Sequence, residues 1–390
     1  MALASGTRVS LSYQEETTTR GVPEAVPDMQ ALRATSRAIN LQKNTIRSAE
    51  VRSDRQVATL RHGFNQVVGS PGFELSLQAY DDFIEAALSG TWAAVATAAS
   101  QTISITPGGL FTRGAGSFVT DGFHIGMIVT PSGYAAAENN LPGVVTDMAT
   151  DGTTMTIVAL GTAYSSEAGG GDESIAADGN IVQMGTTLRT YTIERAFEDI
   201  TQYQVFNGCA INQMSMQVQP EAMIGGTFDI LGMSADPMVQ VPRDATVTAA
   251  ATNDPMNSFD GALYEAGALN AVVTGVNFTL NNNRSLESVV GSKFSPDVFE
   301  GTGTITGELT AFFEDEGMFN RFVNETITGL TIKLDDLNGT DFIVLGFPAI
   351  KYTGGDMDPP QQGPVPIRMP FEAQVSAITG TSFFVQRSNT

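Results

Sequence analysis

Apolar and polar residues alternate with a period of two along most of this 390-residue chain, and only short stretches change to a helical period. Both periods meet in "GFELSLQAYDDFIEAALSG" (72–90). Phe73, Leu75 and Leu77 alternate as in a half-buried strand, and Phe83, Ile84, Ala87 and Leu88 then repeat at helical spacing. Asp81 and Asp82 fall at the start of that helix, where carboxylates suit the free N–H groups and the dipole, and Gly90 is placed to end it. Upstream, residues 1–40 read as turn-rich and extended, because Pro23 and Pro27 exclude a regular helix, and a strand begins at Ile39. Residues 96–182 give short alternating strands punctuated by Gly, Asp and Asn, a compact all-β module closing in the linker-like "SSEAGGGDESIAADGN" (165–180). Longer strands return in "TLRTYTIERAF", "CAINQMSMQVQ" and "AMIGGTFDILG", followed by a second linker-like stretch over 233–258.

The second half replays the first. "INLQKNTIRSAEVRSD" (39–54) resembles "VNFTLNNNRSLESVVGS" (276–292), down to the Arg-Ser pair at Arg47 and Arg284. "GFELSLQAYDDFIEAAL" (72–88) parallels "TITGELTAFFEDEGMFNRFV" (304–323), strand then acid-started helix. "VFNGCAINQM" (205–214) matches "VLGFPAIKY" (344–352), and "MIGGTFDIL" (223–231) matches "PVPIRMPFEAQV" (364–375). Four pieces in the same order predict a duplicated, mainly β fold of sandwich- or barrel-like units, each with one short helix. The expected division is a discontinuous first unit (1–95 and 183–235), an inserted all-β domain (96–182), a linker (236–258) and a second unit (259–390).

Charge narrows the function. The chain holds 42 Asp and Glu against 20 Lys and Arg. A field of that sign repels phosphate backbones, since tight nucleic-acid binding needs clustered cations that release counterions. With one cysteine, Cys209, and two histidines, His62 and His124, neither a disulfide framework nor a thiolate or histidine metal site is expected, and no cofactor is implied. The N-terminus lacks the apolar core of a signal peptide and no run approaches a membrane span, so the expectation is a soluble cytoplasmic product.

One stretch runs against the acidic background. "EVRSDRQVATLRHG" (50–63) carries Arg52, Arg55, Arg61 and His62 with only Glu50 and Asp54, and Arg47 lies just before it. Interleaved opposite charges suit ion pairs with a partner surface better than phosphate contact or catalysis. His124 on a strand between glycines reads as a packed histidine. Asn338-Gly339 is a hairpin signal whose neighbours Asp335, Asp336 and Asp341 lack the spacing of a calcium loop. "GGGDES" has no following Gly-Lys-Ser/Thr, and no acid pair stands out as a catalytic couple, so no enzyme signature survives.

"SAEVRSDRQVATLRHGFNQVVGSPGFELSLQAYDDFIEAAL" together with "TIERAFEDITQYQVFNGCAINQMSMQVQPEAMIGGTFDILG" resembles the tail tube (major tail) proteins of long-tailed bacteriophages. The resemblance covers most of 30–95 and 186–235, and is less literal over 260–390. It implies a structural virion protein of the siphovirus type, made in the host cytoplasm. Its sheets would join between copies into stacked rings around an acidic lumen that passes DNA and the tape measure protein. Terminator and tip proteins would be further partners, and the 96–182 domain an outward decoration that could meet the host surface. Family rings present six tube domains, so a duplicated chain implies three chains per ring with pseudo-sixfold symmetry. Arg47, Glu50, Arg52, Asp54, Arg55, Arg61 and His62 would then face the adjacent ring. Competing classes are another β-rich tail component, such as a terminator or decoration protein, and a surface carbohydrate-binding protein.

Overall fold

Strands form almost every element of the computed structural model, which describes residues 3–270, 272–337, 339 and 341–389. Strand β1 (Val9–Glu15) is followed by the hairpin β2 (Ile39–Arg47) and β3 (Leu60–Gly69), with β4 (Gly72–Glu74) continuing the line of β3. Helix α1 (Asp81–Leu88) comes next, and after an inserted sheet the chain forms β5 (Tyr191–Phe197), β6 (Gln202–Val218), β7 (Gly225–Gly232) and β8 (Ser234–Ala235). The second half contains β9 (Gly261–Glu265), β10 (Val273–Asn281), β11 (Thr304–Phe312), α2 (Gly317–Val323) and β12 (Thr328–Asp335). It ends with β13 (Phe342–Tyr352), β14 (Asp356–Met357), β15 (Pro366–Ala373) and β16 (Phe384–Arg387). The fold is mainly β, as its alternation predicts, and among the described residues no helix is long and apolar enough to cross a membrane.

The two halves repeat one pattern of antiparallel pairing. In the first, β1 pairs with β5, β5 with β6, β6 with β7, β7 with β3 and β4, and β3 with β2. In the second, β9 pairs with β12, β12 with β13, β13 with β15, β15 with β11, and β11 with β10. Even the return strands agree: β8 lies on β6 as β16 lies on β13. Each helix sits at the same place in the order, after the second hairpin strand.

Register gives the correspondence residue by residue. Ile211 faces Ile230 as Ile350 faces Ala373, and Met214 faces Phe228 as Tyr352 faces Phe371. Ile230 in turn faces Gly69, and Ala373 faces Ile305. Gly69 faces Ile39, and Ile305 faces Leu280. Ile39 therefore corresponds to Leu280, and Lys43, not Arg47, occupies the place of Arg284. The Arg-Ser match read from sequence is displaced by four residues, because β2 and β3 extend further toward their turn than β10 and β11 do. Gly69 lies as far along the chain from Ser89 as Ile305 from Glu325, and both Ser89 (φ 50°) and Glu325 (φ 54°) take the left-handed conformation just past their helices. The stop of α1 is thus Ser89; Gly90 is needed because a Cβ there would lie 2.2 Å from the Gln183 carbonyl oxygen.

The amphipathic stripe of α1 explains its packing. Phe83, Ile84, Ala87 and Leu88 are buried, and Phe83 stacks on Tyr191 (5.4 Å) and meets Tyr13 edge-on (4.8 Å). Fully burying such a ring stabilises by about 1.5–3 kcal/mol. The core is continuous through both halves, with Phe278, Phe347, Phe371 and Phe383 in the second.

Seven strands between residues 97 and 177 form a sheet of their own. Its core adjoins the second half: Gln386 on β16 accepts from Ile128 N and donates to Ile128 O and Asp178 O, at 2.8, 2.8 and 2.7 Å. Two sequence readings change here. Glu173–Ala177 is a strand in this sheet, not linker, and Glu173 is buried with its carboxylate accepting from Gly170, Gly171 and Ile103 N–H groups. Asn180–Gln183, read as the end of the module, pairs instead with β16 in the large sheet. The 236–258 stretch has isolated bridges to the first half, Tyr203 with Val239 and Gln30 with Thr248.

Candidate assembly interface

The basic stretch forms the outer part of the β2–β3 hairpin. Arg47 faces Leu60, Ile46 faces Arg61 and Thr45 faces His62, with Glu50, Arg52, Asp54 and Arg55 in the connecting turn. Every residue from Gln42 to His62 is exposed, so the hairpin is an arm without support from the rest of the chain. Arg52 pairs with Asp54 at 2.9 Å, and Asp54 also accepts from Gln56 N; these bonds hold the carboxyl of Asp54 below its ordinary range. Arg55 lies at φ 60°, which helps reverse the chain. The geometry brings the seven residues together on one arm, and all of them face solvent.

The corresponding hairpin of the second half is docked. Strand β10 pairs with the outer edge of β6, from Gln213 opposite Asn281 to Val218 opposite Val276, joining the two halves into one sheet. Beyond the strand, Asn282 N donates to Asn212 O (2.8 Å), and Asn65 N donates to Lys293 O (2.8 Å). Arg284 reaches inward with no side-chain exposure and donates to Ala86 O (3.3 Å), Ser89 Oγ (2.7 Å) and Ile211 O, closing the end of α1. Burial pulls its pKa down to about 10, offset in part by Glu300 at 3.8 Å. Sequence reading missed Arg284 as a clamp; its Arg-Ser match to Arg47 was the available signal.

Two edges complementary to this joint stay open. The run from Tyr352 to Met357 follows β15 on one side, through Thr353 N to Pro370 O (2.8 Å), and among the described residues no strand covers its other side. The outer edge of β2 is likewise without a strand, and Arg195 Nη1 caps its Ile39 carbonyl at 2.8 Å. Near the first edge, the end of α2 is bare: Val323 is 58 % exposed where the corresponding Ala87 is fully buried. Glu325 there is bonded through Oε2 to Lys351.

Other singled-out residues serve packing. Cys209 is buried, which pushes its thiol pKa up, with the Glu16 carboxylate adding to the effect. His124 is buried with its ring 5.6 Å from Phe384. Asp335 pairs with Lys333, and Asp336 and Asp341 bond each other across the β12–β13 turn; Asn338 lies outside the described residues. Among the described residues no group of three His, Cys, Asp or Glu is placed to hold a metal ion.

The chain is β-rich, with one hairpin docked on its own sheet, its counterpart exposed, and two strand edges without a covering strand among the described residues. The family model described as phage tail tube protein matches residues 6–375, nearly the whole chain, and the chain belongs to that family, a structural component of the virion. No curated protein matches it.

Proposed function

We propose that the chain polymerises into stacked rings forming the hollow tail tube of a long-tailed, siphovirus-type phage, its acidic lumen passing DNA and the tape measure protein. The observation that carries this reading is the pair of hairpins. One is docked in the chain on the edge of β6, the other stands free, and the edge at 352–357 that corresponds to the docked one is open among the described residues. Repeating the β6–β10 joint between copies gives a head-to-tail interface, which closes into a ring when the rotation allows. The matched pairing orders support two tube units per chain, 1–95 with 183–235 and 259–390, and hence three chains per pseudo-sixfold ring. The inserted domain (96–182) faces outward, and 236–258 links the units. The arm's Glu50, Arg52, Asp54, Arg55, Arg61 and His62 serve contacts with the next ring, with Arg47 at their root. A surplus of acid suits a lumen through which DNA slides without adhering. The chain is made in the host cytoplasm, and terminator and tip proteins bound the polymer.

Electron microscopy of the purified protein tests the reading. Long hollow tubes with threefold-related chains are expected. Rings that never stack would point to a terminator, monomers to a decoration or surface-binding protein, and six chains per ring would overturn the trimer.

A further inference from the structure

We propose that Lys43 of one copy seats on the exposed end of α2 in the next copy, at Glu325 and the carbonyl of Phe322, as Arg284 seats on α1 within the chain. The inference rests on the ring-forming reading above and names the contact that would lock each joint between copies.

Position comes from the two ladders. By count along the chain Lys43 corresponds to Arg284, four residues past Ile39 as Arg284 is four past Leu280; Lys43 is still in β2, whereas the β10 ladder ends at Asn281 and the chain turns through left-handed Asn283 before Arg284. Ile350 corresponds to Ile211, whose carbonyl takes the Arg284 guanidinium, but Ile350 is covered on that side by Thr328 of β12, so the open acceptors are those of the helix end. Glu325 corresponds to Ser89 in both location and left-handed backbone, and Phe322 to Ala86: Ser89 N donates to Ala86 O as Glu325 N donates to Phe322 O. With β6–β10 register carried over, Lys351 falls opposite Asn40, as Gln213 falls opposite Asn281.

The chemistry changes in a compensated way. On the docked side a long guanidinium meets a short hydroxyl, Arg284 with Ser89. On the open side a slimmer ammonium would meet a long carboxylate, Lys43 with Glu325. Lys43 is exposed, and among the described residues its side chain has no ion pair or hydrogen bond. Glu325 uses Oε2 for Lys351, leaving Oε1 to receive a second cation. The carbonyls at the end of a helix carry partial negative charge and add to that attraction. Val323, 58 % exposed, rims the site with apolar surface, whereas its counterpart Ala87 at the docked site is fully buried. A site shaped like a filled one, with its rim still open and its charge opposite to that of the free arm, fits a second copy of this chain.

Charge swapping in the full-length protein tests the contact. Lys43→Glu and Glu325→Lys should each raise the concentration needed for assembly by about tenfold while leaving the melting curve of the subunit unchanged, and the double variant should recover most of the loss. A second arm joins Lys43→Cys with Glu325→Cys, which a short bis-maleimide able to span the former ion pair should link into covalent oligomers that include closed trimers. Tubes that form normally in both single variants, or a double variant no better than either, would overturn the contact and leave the tube reading standing. Tubes without any cross-link would do the same. Failure of the wild-type protein to form rings or tubes at any concentration would overturn both.

Discussion

Ser89 and Glu325 share a left-handed backbone at the ends of two corresponding helices, and only Ser89 has a guanidinium seated on it, from Arg284 at 2.7 Å. Removing that guanidinium strands the Ser89 hydroxyl in the interior between the two halves and leaves the Ile211 carbonyl only the longer bond from Asn282 Nδ2 (3.3 Å). Arg284→Ala is expected to cost roughly 3 kcal/mol, read as a lower urea midpoint, and Ser89→Ala about 1 kcal/mol. Equal midpoints for wild type and Arg284→Ala would show that the joint is held by strand pairing alone.

Glu16 is a buried carboxylate without a cation, satisfied by four donors: Gly21 N (2.6 Å), Thr190 Oγ1 (2.8 Å), Thr192 Oγ1 (2.9 Å) and Gly208 N (2.8 Å). It ties the segment after β1 to β5 and β6. Glu16→Gln turns one acceptor into a donor that faces donors, and should cost about 2–4 kcal/mol in chemical denaturation. Thr190→Val removes one bond and should cost about 1 kcal/mol.

Burial of His124 lowers its pKa from 6.5 to about 4, and Nδ1 has no hydrogen-bond partner. The unfolded chain therefore takes up the proton first as pH falls. The contribution of neutral His124 is complete above pH 6.5 and is lost between there and about 4, at most about 1.4 kcal/mol per pH unit. Melting temperature should fall more steeply over that window in wild type than in His124→Leu. Parallel profiles would count against the assignment.

Arg52 and Arg55 are exposed, and the Arg52–Asp54 pair lies in water, so neither side chain holds the fold. Arg52→Glu combined with Arg55→Glu should leave the subunit's melting temperature unchanged and shorten the tubes, measured by negative-stain microscopy at matched concentration. Tubes of wild-type length would remove the arm from contact between rings.

Much of this fold was legible where one physical rule acted alone. The helical stripe at Phe83, Ile84, Ala87 and Leu88 placed the helix correctly, and the alternation at Phe73, Leu75 and Leu77 marked three buried positions although the strand covers only Gly72–Glu74, because burial on one face leaves a period. Local composition misled where polar groups are satisfied at a distance. Gly170, Gly171 and Glu173 read as a solvated loop, yet the glycine N–H groups wrap the Glu173 carboxylate and hold it inside a sheet. Register was the other hidden quantity. "INLQKNTIRS" and "VNFTLNNNRS" align letter by letter, but the hairpin pairing sets Ile39 against Leu280, which moves the counterpart of Arg284 from Arg47 to Lys43. The arm itself was visible as an oddity of charge, whereas its isolation from the rest of the chain became visible only beside the docked hairpin.

The β6–β10 joint has its two strands on one chain, separated by residues 219–272, which hold β7, β8, the 236–258 stretch and β9. It meets its partner at the local concentration that a tether imposes, on the order of millimolar for a short flexible linker, and so forms at any dilution. A joint between copies has no tether and depends on how many subunits are present. On the proposed assembly, folding and polymerisation answer to different variables: the first to solvent and temperature, the second to abundance. A subunit can complete one half of its connections at birth and hold the other half in reserve until the cell has made enough of it.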